Sequence, residues 1–101
     1  MRDMTDLEIY QEFVDEMRTF EGTAREELIW ATVGLTSEAG EVAGEVEKMM
    51  RKGESLEERE DKIFDEVSDV LFYCHAVLSA LGRTGDECIE HNIAKLRSRH
   101  G

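Results

Sequence analysis

Apolar residues recur at steps of three and four in four stretches of the chain, with glycines between the stretches. That rhythm predicts an all-α fold of about four helices. The first, about Asp6 to Phe20, aligns Tyr10, Phe13, Met17 and Phe20 and ends before Gly22. The second, about Thr23 to Lys52, aligns Leu28, Thr32, Leu35, Ala39, Val42, Val46 and Met49 as one buried face. Gly34, Gly40 and Gly44 lie inside it. Each costs a helix roughly 1 kcal/mol against alanine, which suggests close approach of a helix or ligand, or a kink. Gly53 closes the helix behind Lys48, Arg51 and Lys52, cations that suit the negative end of the dipole. The third, about Leu56 to Leu81, opens on Ser55 with Glu58 three residues later, a capping box. Its stripe is Ile63, Val67, Val70, Cys74, Val77 and Leu81. The fourth, about Gly85 to His100, is capped by Thr84 and Glu87 and aligns Ile89, Ile93 and Leu96. Segments two and three should form a central antiparallel hairpin turning at Gly53-Glu54, within a helical bundle.

Length adds a constraint. A chain of 101 residues fits a single domain, 1–101, with a modest core, so assembly into a homo-oligomer is a natural source of stability. Leu7, Ile9, Tyr10 and Val14 spread over more than one face of the first helix, which favours a tetramer over a dimer. Apolar residues at 41% and charged residues at 36% describe a globular chain with a charged surface rather than a disordered one. The formal net charge of −12 argues against a nucleic-acid partner, except where bound cations reverse the local sign. Cys74 and Cys88 form no zinc-like pattern and read as reduced thiols. With no run near the ~20 apolar residues a bilayer requires and a charged start, the expectation is a cytoplasmic protein with no membrane partner.

The candidate chemistry lies in two acidic pairs. Glu38 and Glu41 are separated by three residues, as are Glu66 and Asp69. At that spacing two side chains share a helix face, with β-carbons roughly 5–6 Å apart, and like charges repel. Each of the four stands one residue before a member of an apolar stripe, which places it at the core edge. Glu41 and Glu66 are equidistant from the Gly53-Glu54 turn, and so are Glu38 and Asp69. The hairpin therefore brings the four carboxylates to one height, where they need positive charge. Magnesium, a hard oxygen-seeking cation, is the expected one, with manganese as a substitute.

The pattern Glu38-x-x-Glu41, 24 residues, Glu66-x-x-Asp69 resembles the signature of the all-α NTP pyrophosphatases, the MazG-like family. "GLTSEAGEVAGEVEK" and "DEVSDVLFY" are similar to that family's second and third helices, and "HNIAKLRSR" to its last. The resemblance spans roughly residues 7–99 and is closest to compact stand-alone forms, including phage-encoded ones. It implies metal-dependent cleavage of nucleoside triphosphates between the α and β phosphates, giving a nucleoside monophosphate and pyrophosphate. It also implies oligomers whose sites are completed by neighbouring subunits. For a phage-encoded protein the compartment would be the host cytoplasm.

Around the acidic pairs, the face of segment two continues through Glu45 to Lys48 and Lys52. The two lysines are candidates for binding phosphates, though Lys52 fits ordinary helix-end charge equally well, and Glu45 is either a further ligand or a partner for Lys48. Tyr73 lies one turn beyond Asp69, where the resemblance implies an aromatic residue near the nucleotide; an interface tyrosine fits as well. Asn92 and Lys95 match the family's Asn-x-x-Lys, which implies contact with the nucleotide. Trp30 is either core or a base-stacking ring in space opened by Gly34. Glu41, on the turn side of the cluster, is the candidate for orienting or deprotonating water. Two rivals remain. A di-iron bundle needs Glu-x-x-His motifs, and here the partner positions are Glu41 and Asp69. A non-enzymatic acidic helical interaction module would need neither metal nor turnover.

Overall fold

The computed structural model describes residues 2–18 and 20–100. Among these it has four helices, α1 (Asp6–Met17), α2 (Ala24–Lys52), α3 (Leu56–Ala80) and α4 (Gly85–His100), and no strand. α2 and α3 pack along most of their length as an antiparallel pair; α1 lies on α3 and α4, and α4 rests mainly on α1.

Local signals set the ends of these helices. Ser55 and Glu58 form the expected capping box, and the Thr84 hydroxyl accepts a hydrogen bond from the Glu87 amide at 3.2 Å. Thr5 with Glu8 and Thr23 with Glu26 cap α1 and α2 in the same way. Gly53 ends α2 in the left-handed region, at φ 64°, where a β-carbon is disfavoured. α1 ends at Met17, three residues short of the expected Phe20. Arg18 turns out of the helix, pairs with Asp15 at 3.1 Å and reaches Glu27 on α2, which ties the end of α1 to the start of α2.

The buried faces of α2 and α3 keep most members of the apolar stripes and depart from them by one residue where charged side chains enter. On α1 the fully buried residue is Val14, while Phe13 and Met17 are exposed. On α2 the less exposed positions include Leu28, Ala31, Leu35, Glu38, Val42, Glu45 and Met49, with Val46 beside Glu45. On α3 they include Arg59, Ile63, Glu66, Val70, Tyr73, Val77 and Ala80, while Val67 and Leu81 are exposed. Both series advance by alternating steps of three and four, the rhythm of two helices meeting along a seam. The stripes leave it at Ala39 and Val67 because the seam admits the charged residues Glu38 and Glu66 there. Arg59, 3% exposed, donates to Glu45 and Glu54, each at 2.8 Å, and so fastens the turn end of the hairpin.

A polar junction seats α1 on α3. The Gln11 amide donates to the His75 carbonyl at 2.9 Å and bonds Ser79, whose hydroxyl donates to Asp15 at 2.6 Å. The buried His75 ring meets Tyr10 edge-on, with centroids 4.9 Å apart.

The fully buried apolar core is small: Val14, Ala31 and Ala76. Ile89, Ile93 and Leu96, the apolar stripe of α4, are each 42–47% exposed. The radius of gyration is 16.3 Å, against about 13 Å for a compact chain of this length. Among the described residues no helix is long and apolar enough to cross a membrane.

Gly34 and Tyr73 are equidistant from the Gly53-Glu54 turn and touch across the seam, the register expected of the hairpin. A β-carbon at Gly34 would overlap the Tyr73 ring, whereas one at Gly44 would meet nothing within 4 Å. Gly34→Ala should therefore destabilise the protein by about 1–3 kcal/mol, overpacking outweighing helix propensity. Gly44→Ala should gain up to about 1 kcal/mol from propensity alone. Urea melts of the two variants check the opposite signs.

Candidate metal centre

Glu38 on α2 and Glu66 and Asp69 on α3 each offer one carboxylate oxygen, and the three oxygens lie within 4.8 Å of one another. The seam explains the convergence. Glu38 and Glu66 are half-buried members of the two interlocking series, so they face each other across the hairpin rather than merely flanking it. Asp69, one turn beyond Glu66, is exposed at the seam's edge. Glu41 is also exposed and stands outside the three-oxygen group, yet its charge acts on Glu66.

The electrostatics follow from this placement. Burial, joined by the charges of Glu41, Asp69, Glu38 and Asp65, raises the Glu66 pKa above the ordinary glutamate value. Burial and then the Asp69 charge raise that of Tyr10, so α1 also comes within electrostatic reach of the cluster. The ionised form of Glu66 is thus held against desolvation and like charge, a cost that a divalent cation reverses in sign. Three carboxylate oxygens with no nitrogen or sulfur donor among them suit a hard cation such as magnesium or manganese rather than iron or copper.

The other expected site residues divide by position. Glu45, read from sequence as either a ligand or a partner of Lys48, accepts from Arg59 at 2.8 Å and has Lys48 at 3.7 Å. The Arg59 hydrogen bond, helped by the charges of Lys48, Arg59 and Lys62, lowers its pKa. Lys48 is thus one turn beyond Glu45 on the carboxylate side of α2, while Lys52 is exposed and forms no ion pair among the described residues. Tyr73 is half-buried over Gly34, one turn from Asp69. Asn92 and Lys95 are exposed on α4, which rests mainly on α1; a single chain does not bring them to the acidic cluster. Lys62 went unread in the sequence. It is one turn before Glu66, and its distance from the turn matches that of Glu45, which was the signal available to find it.

Comparison with known proteins identifies a family. The family described as MazG nucleotide pyrophosphohydrolase domain matches residues 30–101, which include all four acidic residues and every other candidate position. The chain is 29% identical over 99 residues to the Gene 37 protein of Mycobacterium phage L5, covering 92% of this chain and 87% of that protein. No solved structure matches significantly.

Replacing Glu66 by Gln keeps its shape and removes the charge that the seam opposes. In metal-free buffer Glu66→Gln should melt at a higher temperature than the unaltered protein, because a desolvated repulsion is gone. Millimolar magnesium should raise the melting temperature of the unaltered protein and leave that of the variant nearly unchanged, since a ligand that binds only the folded state stabilises it. Calorimetry of both proteins, with and without magnesium, checks the pair of shifts.

Proposed function

The chain belongs to the MazG nucleotide pyrophosphohydrolase family, and on that premise we propose that it hydrolyses nucleoside triphosphates between the α and β phosphates with magnesium as cofactor. The convergence of the Glu38, Glu66 and Asp69 oxygens within 4.8 Å is the observation that carries this reading. Manganese, equally hard, is the expected substitute. Bound there, the cation would neutralise charge on the phosphates and lower the pKa of a coordinated water.

The chain's own groups have distinct tasks in this proposal. Glu38, Glu66 and Asp69 hold the cation, with Glu41 as the fourth ligand. Glu41, exposed and on the turn side of the cluster, also orients the incoming water or takes its proton. Water adds across the α–β anhydride; the bridging P–O bond breaks, and nucleoside monophosphate and pyrophosphate leave. Lys48 and Lys95 hold the departing pyrophosphate as point charges, with Lys52 a further phosphate contact. Tyr73 and Asn92 contact the nucleoside. Because α4 stands away from the cluster of its own chain, Asn92 and Lys95 act on the site of a second copy. The exposed stripe of α4, the small core and the open shape support a homo-oligomer, a tetramer in preference to a dimer. We read residues 1–101 as one domain working in the cytoplasm, where nucleoside triphosphates are held, or in the host cytoplasm if the gene is a phage's. Neither nucleic acid nor membrane is among the partners proposed.

Glu41→Gln and Asp69→Asn should each lower pyrophosphate release at least ~10²-fold, the scale for losing a positioned catalytic group, while the fold survives. Lys52→Ala should raise KM with little change in kcat. Near-normal turnover in both carboxamide variants would overturn the four-carboxylate site, and no pyrophosphate release by the unaltered protein would leave the acidic interaction module as the better reading. Light scattering at micromolar concentration should report a multiple of 11.6 kDa, four-fold by preference; a monomer would overturn the assembly.

A further inference from the structure

Among the described residues Arg59 is the one permanently charged side chain that is buried, at 3% exposure, and the hydrolysis scheme above gives it no task. All three of its side-chain nitrogens are engaged. Nη1 donates to Glu45 Oε2 at 2.8 Å, Nε donates to Glu54 Oε1 at 2.8 Å, and Nη2 lies 2.6 Å from the same Glu54 oxygen. Glu54 follows Gly53 in the turn, so the guanidinium is anchored there and holds Glu45 from the turn. Glu45 is itself half-buried, and its other oxygen has Lys48 at 3.7 Å.

The residue so held continues the acidic face of α2. Glu38, Glu41 and Glu45 follow one another at steps of three and four, and Glu45 lies about 6 Å along the axis from Glu41. The four carboxylates assigned to the metal form no ion pair among the described residues, while Glu45, next in the row, is paired twice. Its cationic partners, rather than its place on the helix, set it apart. A centre that handles phosphates needs such restraint. Magnesium takes octahedral coordination and keeps positions for phosphate oxygens and water. A further carboxylate would fill one of those positions and repel the incoming phosphate.

We propose that Arg59 is a positioning residue that keeps Glu45 out of the metal centre, leaving coordination positions open for phosphate and water. The inference rests on the hydrolase reading above and deepens it. Arg59 acts through Glu45 and touches neither cation nor substrate. A clamp that served the fold alone would make the same contacts, but its loss would leave cation affinity unchanged in a chain that stays folded.

The experiment is calorimetric titration of the intact protein with manganese, without nucleotide. Glu45→Gln leaves Arg59 an acceptor and removes only the charge. It should bind manganese within about two-fold of the unaltered protein, whereas a loss of about ten-fold or more, the scale of residues that support a metal, would make Glu45 a ligand already and overturn the inference. Arg59→Met removes the tether and should bind manganese about ten-fold more tightly, by the same scale. Adding Glu45→Gln to Arg59→Met should return the affinity to that of the unaltered protein. Unchanged affinity in Arg59→Met, or affinity still raised in the double variant, would overturn the inference. Arg59→Gln is the milder variant, keeping donors for the two carboxylates without the charge, and should tighten binding in the same direction. Where Arg59→Met loses its helicity by circular dichroism, unchanged affinity in Arg59→Gln overturns the inference instead. Turnover is not read in this experiment, so the two readings fail separately. Manganese binding indifferent to Arg59 removes this inference and leaves hydrolysis standing. The expected shifts in a protein that releases no pyrophosphate remove the hydrolase reading alone. No manganese binding by any of these proteins overturns the metal centre and both readings with it.

Discussion

Two carboxylates placed where a helix seam ordinarily packs apolar side chains constrain everything else in this fold. Glu38 and Glu66 take seam positions in α2 and α3, in step with Leu35 and Val42 on one side and Ile63 and Val70 on the other. Burial and the surrounding acids oppose the charge on Glu66. An arrangement of that kind survives only if the hairpin is held by contacts elsewhere along it. Those contacts lie on both sides of the cluster. Toward the turn, Arg59 bridges Glu45 and Glu54, an ion pair network that supplies charge balance within the seam. Away from the turn, Ala31 and Ala76 are fully buried and Gly34 admits the Tyr73 ring. The acidic cluster is thus bracketed by one clamp of charge and one of close packing, which fixes the spacing of its oxygens before any cation arrives. Such preorganisation is what a metal site requires of its supporting residues.

The same logic separates Glu45 from the other acids on its face. A carboxylate one turn from Glu41 would be a natural ligand, yet Arg59 lowers its pKa and occupies it. Losing Arg59 would release Glu45 toward the cluster and add another negative charge to a seam that already resists it. Removing one partner of a buried pair costs more than the pair contributes, because the remaining charge is left uncompensated. Arg59 therefore acts on the cluster through Glu45 without touching it.

Much of this was legible in the sequence, and what was not has a definable cause. Helix number, the Gly53 turn and the register of the hairpin followed from spacing, because steps of three and four and a glycine stop depend on local geometry alone. The contact of Gly34 with Tyr73 and the burial of Ala31 and Ala76 agree with that register. The capping boxes at Thr5 and Thr23 were readable by the rule that found Ser55 and Thr84. The buried faces were only partly readable from apolar residues. Glu38, Glu45, Arg59 and Glu66 belong to the seam, so a stripe drawn through hydrophobic side chains settles one residue away, on Ala39 and Val67, which are exposed. Sequence spacing predicted a symmetric cluster of four, while the three-oxygen group contains two acids from α3 and one from α2. The side-chain reach that leaves Glu41 at the rim is a tertiary property.

The exposed faces bear on how such a seam is stabilised at all. A chain of this length has little interior to offset charged seam positions, and only Val14, Ala31 and Ala76 are fully buried apolar residues among those described. Meanwhile Ile89, Ile93 and Leu96 on α4, Phe64 and Val67 on α3, and Val33 on α2 keep large apolar surfaces in solvent. These are apolar areas that a single chain leaves uncovered, and covering them with another copy yields free energy in proportion to area. The two deficits are complementary. The proposed assembly would supply the burial that the acidic seam displaces, and it would carry Asn92 and Lys95 from the outlying α4 to the cluster. The proposed metal would supply the remaining positive charge. Folding, assembly and cation binding would then be linked through one set of carboxylates, each favouring the others because all three relieve the same desolvated repulsion.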